Sequence, residues 1–395
     1  MSKISAKIVA DSINNQGDRI TSMLLTFPRF ILAELNTHRM LSKNSASSRA
    51  IPFNKMVEAV QTNPFIPIAW QKEHKGMQGT EYFTNEVQIA GCQSLWLQAR
   101  DKAVESAEEL HYPMSKATSV FHIEELKSTD VTKQLCNRLL EPFMWHTVLI
   151  TGTEWENFFS LRCPQYDLFF EQIPKSFRSK KDLIKFVKKV KSPEFENQYD
   201  NLTELDWLQI NKGAAEIHMM TLAECMLDAM NESTPKLLQP GEWHIVFEDQ
   251  ITDPKVFNYL LENKFKDRIP GPGETTDNPV KQPEYAAAYW DTKIKISTSM
   301  SARTSYTVVG DEKEFGYDKQ VELHDRMANQ VPFHASPFEH NARAMTEEEY
   351  YSYARGKGIN NFDEEESPIY FTKEQNGWCR NFKGFIQYRE LLENK

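Results

Sequence analysis

The sequence has no CxxC pair, no HExxH box and no run near the roughly 18 apolar residues that a membrane-spanning helix needs. Its five cysteines, Cys92, Cys136, Cys163, Cys225 and Cys379, are dispersed and odd in number. That disfavours a disulfide or zinc framework and suits reduced thiols in a cytosolic protein. Positive charge is in deficit: 46 Lys and Arg face 56 Asp and Glu, a formal net charge of -10. Such a field repels polyanions, so neither a nucleic acid nor a membrane surface is expected as a partner. The N-terminal MSKISAKIVADSINNQGDRI lacks the apolar centre of a secretory signal. The expectation is a soluble, cytoplasmic protein with no metal site, since His74, His111, His122 and His146 are scattered and no paired-carboxylate box occurs.

What is present is a core. At 395 residues, with 40% hydrophobic and 12% aromatic content, the chain can form two domains or one large elaborated one. Lys7 to Ala10 and Ile20 to Phe27 read as two short strands around the polar turn Asn14 to Asp18. Pro28 opens a short helix over 30–35, with Phe27, Ile31, Leu35 and His38 on one face. From that helix end emerges Thr37-His38-Arg39-Met40-Leu41-Ser42-Lys43-Asn44-Ser45-Ala46-Ser47-Ser48-Arg49, read as a loop reaching Pro52. Two guanidiniums, an imidazole, an amide and several hydroxyls crowd there without a carboxylate, which suits an anionic ligand such as a phosphate.

Further along, 64–80 reads as an irregular loop, and Gln88 to Leu110 and Val131 to Phe143 as helices. Trp145 to Thr151 reads as a buried strand that turns at Gly152 into a helix through Leu161. The stretch 163–212 changes character: a basic amphipathic helix, Lys175 to Lys191, precedes acidic Glu194 to Asp206, as in an inserted surface module. Ala214 to Met230 is helical, Pro240 to Phe247 is a turn and strand, and 270–283 is a Pro/Gly-rich linker. Lys293 to Ser299 reads as a strand, Lys319 to Asn329 as a helix, 346–366 as a loop and Phe385 to Leu392 as a last helix. Helices and short strands without regular βαβ units indicate α+β, with mixed helices and an antiparallel-rich sheet.

The polar stretch resembles a family signature. His38-Arg39-x-x-Ser42-x-Asn44-x-x-Ser47-x-Arg49 matches, but for its first residue, the Arg-His-Arg-x-x-Ser-x-Asn-x-x-Ser-x-Arg motif of flavin-dependent thymidylate synthases; Thr37 stands where the family has arginine. Arg138-Leu-Leu-Glu-Pro142 and Asn157-Phe-Phe-Ser-Leu-Arg162 are similar to the part of those enzymes that binds the nucleotide from the other side. Ala302-Arg-Thr-Ser-Tyr306 and Ser336-Pro-Phe-Glu-His340 are also family-like, but family members carry them before the central motif. That order implies either a permuted chain or a duplicated half-unit: a core over 1–270 with the insertion at about 163–212, and a C-terminal half-unit over 284–395.

The resemblance implies a thymidylate-synthase-complementing-protein-like fold and methylation of dUMP to dTMP, with FAD as cofactor and NADPH and methylenetetrahydrofolate as co-substrates. It assigns His38, Arg39, Asn44, Asn157 and His340 to the flavin, Ser47, Arg49 and Arg138 to the nucleotide, and Arg162 to the uracil as the catalytic group. The reduced flavin delivers hydride, so Ser47 is read as a donor to substrate rather than a nucleophile. The family also implies a homo-oligomer, a tetramer or, with duplicated halves, a dimer. Thr37 and the insertion leave room for a flavin-dependent hydroxymethylase acting on dUMP or dCMP, and a third reading is a nucleotide-binding homologue without turnover.

Overall fold

A computed structural model describes residues 3–76, 79–112, 131–190, 199–266, 283–305, 315–353 and 375–393. Strands β1 (Ser5–Ile13) and β2 (Arg19–Pro28) form the antiparallel hairpin that their alternation predicts. The Asn14 side-chain oxygen accepts from the amides of Gln16 and Asp18, and Gly17 takes φ +86°, closing the turn as an Asx-type bend. Pro28 leads into a 3-10 turn (Arg29–Ile31) and α1 (Leu32–Asn36). The polar stretch then departs from the expected loop. Ser42–Ser45 forms β3, an edge strand antiparallel to β4 (Trp145–Gly152), with Ser42 opposite Thr151 and Ser45 opposite Val148.

Between β3 and β4 lie α2 (Phe53–Thr62), α3 (Glu86–His111) and α4 (Lys133–Leu140), the last ending in a 3-10 turn at Glu141–Phe143. Helix α5 (Glu156–Arg162) follows β4. In the stretch 163–212, β5 (Tyr166–Phe170) and β6 (Ile173–Phe177) pair as a hairpin, so the helix expected from Lys175 begins only at α6 (Lys180–Val190). With α7 (Glu204–Ile210) these elements bury Tyr166, Leu168, Leu183, Val187 and Trp207 against one another. Next come α8 (Ile217–Glu232), β7 (Lys236–Leu237), β8 (Trp243–His244) and α9 (Asp253–Asn263).

The strand expected at Lys293 to Ser299 is instead the middle of α10 (Pro283–Arg303). Its alternating Ser and Thr hydroxyls have helical partners: Thr298 donates to the Ile294 carbonyl and Ser301 to that of Ser297. Helix α11 (Tyr317–Ala328), a 3-10 turn (Ser336–Glu339) and β9 (Ala342–Ala344) follow. The stretch from 346 is not loop throughout: α12 (Glu347–Ser352) is capped by Thr346 and Glu349 in a reciprocal box. Strands β10 (Trp378–Cys379), β11 (Phe382–Lys383) and β12 (Phe385–Gln387) lead to α13 (Tyr388–Glu393), so the expected last helix starts three residues late. Most of the expected linker at 270–283 and the rest of the 346–366 stretch beyond 353 lie outside the described residues.

The main sheet has the order β3-β4-β2-β1-β7, antiparallel except at β1–β7, and β12-β9-β8 form a second sheet. The architecture is α+β. One face of the main sheet buries Met23, Leu25, Phe27, Val148 and Ile150 against α1, α5 and α8. Each such fully buried side chain stabilises the fold by about 1.5–3 kcal/mol. The other face packs Val9 and Leu149 against Val246 and Phe247. It also carries a sealed polar file. Ser12 and Ser22 bond the two nitrogens of His244, Ser22 bonds Thr151 at 2.6 Å, and Thr151 bonds His340 Nδ1 at 2.9 Å. Among the described residues no helix is long and apolar enough to cross a membrane.

Candidate functional site

Strand alternation sorts the motif. Ser42 and Asn44 project from β3 to the face where Leu149 and Thr151 lie, and Lys43 and Ser45 to the opposite face. Asn44 is 3% exposed and has no free hydrogen-bonding capacity. Its amide nitrogen donates to the Ser301 carbonyl and to Thr304, and its oxygen accepts from Ser305 and Ser336. The side chain thus ties the motif to both C-terminal family-like segments, and this replaces the flavin contact expected of it. Asn44→Ala strands several of those groups in the interior and is expected to cost about 3 kcal/mol in urea unfolding. His340 is corrected likewise: it is fully buried, with Nδ1 on Thr151, Nε2 without a partner and its pKa pushed down to about 3 by burial. No face of it is open to a flavin. Tyr306 lies outside the described residues.

On the opposite face, the end of α1 meets the end of α5. Arg162 Nε donates to His38 Nε2 at 3.0 Å, Nη1 approaches Glu34 at 3.4 Å and Nη2 approaches Thr37 Oγ1 at 3.4 Å. A guanidinium only donates, so His38 must accept through Nε2 and carry its proton on Nδ1. Burial, then the charges of Arg162 and Lys43, lower the His38 pKa to about 4, which keeps the ring neutral. Lys43 donates to the carbonyls of His38 and Leu41, and burial lowers its pKa to about 8. Glu34 is raised by burial and by Glu216, against the pull of Arg162. Phe158 meets the His38 ring edge-on at 4.8 Å. Arg39, next in sequence to His38, and Asn157, five positions before Arg162, are exposed.

A second basic group gathers where the motif meets α4. Arg49 is exposed and donates to Gln134, one turn before Arg138 on the same helix face. Ser47 is half-buried, with its amide bonded to the Ser305 carbonyl. Three donors converge on Glu141 Oε1: Ser48 Oγ at 2.5 Å, Arg138 Nη1 at 3.4 Å and Arg29 Nη2 at 3.5 Å. Arg29 also reaches His146 Nε2, which Ser45 contacts at 2.7 Å. Arg29, Glu34, Lys43 and Glu141 were not legible as site residues, because each is placed by a contact across elements and none by a periodic signal. Among the described residues no group of three or more His, Cys, Asp and Glu side chains could hold a metal.

Thr37, Arg39 and Arg49 of the motif are exposed. A cavity of about 10 Å³, room for a single water, lies elsewhere, between Trp207 and Asn211 on one side and Met220 and Glu224 on the other. Arg39 and Asn157 are exposed and His38 is half-buried, whereas Asn44 and His340 are buried.

No protein-family profile matches the sequence, and no curated protein matches it. Among solved structures, one similar chain is a UMP/dUMP methylase PolB from Streptomyces cacaoi bound with 5-Br dUMP, at 10% identity and TM-score 0.34, covering 59% of this chain and 91% of that one. A second structure of that methylase, bound with 5-Br UMP, is similar at 12% identity and TM-score 0.30, covering 54% of this chain and 98% of the other. Overlap at this level leaves the reading of the site to the residues themselves.

Proposed function

We propose that the chain binds a pyrimidine nucleotide and modifies its base as a flavin-dependent thymidylate synthase does, converting dUMP to dTMP. The observation that carries this reading is the 3.0 Å bond from Arg162 to His38, which joins two segments that resemble the same family from 124 positions apart. In this reading the fold is of the thymidylate-synthase-complementing type, with a core over 1–270, an inserted module at about 163–212 and a C-terminal half-unit over 284–395. Arg49 and Arg138 hold the nucleotide phosphate, with Ser47 as a further donor, because guanidinium forks pair with phosphate oxygens in two directions at once. Arg162 lies against the uracil and stabilises negative charge that builds on the ring as the base is activated.

Arg39, Asn157 and His38 hold FAD, which when bound and reduced by NADPH supplies the hydride that completes a methyl group from methylenetetrahydrofolate. Neutral His38 accepts from Arg162 and orients its guanidinium, so flavin grip and uracil activation share one ring. The resemblance also supports a second copy of the chain beside this site, in a homodimer or homotetramer. The absorbance spectrum of the purified protein with and without dUMP tests the reading: a bound flavin whose bands shift on adding dUMP is expected. A colourless protein that takes up neither FAD nor dUMP contradicts it. His38→Ala is expected to lose flavin on gel filtration; undiminished yellow colour removes His38 from the flavin site.

A hydroxymethylase is the second reading, favoured by Thr37, whose hydroxyl lies by Arg162 where the family has a guanidinium. Mass analysis of the product from dUMP and dCMP separates the two.

A further inference from the structure

We propose that the Glu141 carboxylate occupies the phosphate subsite as an internal anion, which a nucleotide must displace; this rests on the nucleotide reading above. Ser48 from the motif and Arg138 from α4 donate to one oxygen, Glu141 Oε1, and Arg29 from the 3-10 turn after β2 pairs with that same oxygen. Three donors from three elements meeting at one point is the arrangement that a phosphate oxygen requires. The two guanidinium contacts, at 3.4 and 3.5 Å, are long for charge-assisted bonds, which settle at about 2.7–2.9 Å. The carboxylate satisfies Ser48 closely and leaves the arginines under-engaged. A tetrahedral anion with three free oxygens is larger and draws both forks in.

The side chains can exchange. Glu141 and Arg29 are about one-fifth exposed and Arg138 about half exposed, so the carboxylate has a route to water. Its backbone stays fixed in the 3-10 turn, where the Glu141 carbonyl accepts from the Met144 amide. While Glu141 is in place, the two arginines it faces carry one net positive charge; once it swings out they carry two. The subsite is therefore tuned to a phosphate monoester dianion, which can outcompete a carboxylate. A neutral nucleoside, a diester or a singly charged anion gains too little to displace it.

Isothermal titration of the full chain with dUMP, and separately with deoxyuridine, tests this. Glu141→Gln keeps an acceptor for Ser48 but removes the charge, and is expected to tighten dUMP about tenfold while deoxyuridine is unchanged. Glu141→Asp withdraws the carboxylate by one methylene and is expected to tighten dUMP to a smaller degree, so a Gln variant that fails to fold leaves a second reading. Wild type binding dUMP with no gain in either variant overturns the role of Glu141 and leaves the nucleotide site standing. Failure of wild type and variants alike to bind dUMP overturns the nucleotide reading and this proposal with it.

Discussion

Moving the protein from about pH 7.5 to about pH 5.5 is expected to lower its unfolding free energy by roughly 2 kcal/mol, and by roughly 4 kcal/mol in the Glu224→Gln variant. Most of the loss comes from three histidines that the fold seals in neutral form, and His38 and His324, also lowered by burial, act on the same side. Burial lowers the pKa of His146, His244 and His340 to about 3 each, Arg29 adding to the effect on His146. In the unfolded chain each titrates near 6.5. Between those values the unfolded state holds protons that the folded state refuses, so stability falls as pH drops below 6.5. At about pH 5.5 each histidine contributes roughly 1 kcal/mol or somewhat more to that loss.

Glu224 works in the opposite direction. Burial raises its pKa to about 7 from 4.5, although the Lys180 amide and ammonium favour the charged form. The folded state keeps its proton as pH falls through 7, which returns roughly 2 kcal/mol. Asp228 and Glu34 are raised as well and act on the same side. Glu224→Gln keeps an oxygen for the Lys180 amide, removes the cost of a buried charge and should stabilise by about 3 kcal/mol at pH 7.5. Urea unfolding of both proteins at the two pH values is the measurement; parallel pH dependence in the two would refute the account.

Arg162→Ala is expected to lower turnover of dUMP by about 10²–10³-fold while flavin stays bound. The clasp at Arg162 explains why one side chain carries so much. His38, Thr37 and Glu34 fix three of its donors in one plane, so the guanidinium is held in place before any substrate arrives. Arg162→Lys is expected to rescue little, because one ammonium cannot bridge His38 and Thr37 in the fork geometry. Steady-state kinetics decide it: wild-type kcat in the alanine variant removes Arg162 from the chemistry. A rise in KM alone would make it a binding group.

The β1–β2 hairpin and α8 were legible because their signals are local: alternation around an Asx turn, and an apolar helical stripe. Helix α10 is not legible as a helix because Lys-Ile-Ser-Thr-Ser alternates as a half-buried strand does. Its hydroxyls find partners on Val246, Asn341 and Gln320, which no window of sequence contains. Strand β3 reads as a loop in sequence since Ser-Lys-Asn-Ser offers no apolar side chain; β4 and the C-terminal segments impose its extension. Sequence named the polar groups of the motif. It could not show which are spent inside the fold, as Asn44 is, or that Glu141 and Arg29 would meet Ser48.

The ties of β3 also set a timetable for synthesis. Asn44 waits 257 positions for Ser301, and Ser42 waits 345 for Gln387. At roughly 5–20 residues per second, a ribosome leaves Asn44 without its first partner for roughly 10–50 s. For that interval β3 is held by β4 alone, and the Asn44 side chain has none of the four partners that later bury it.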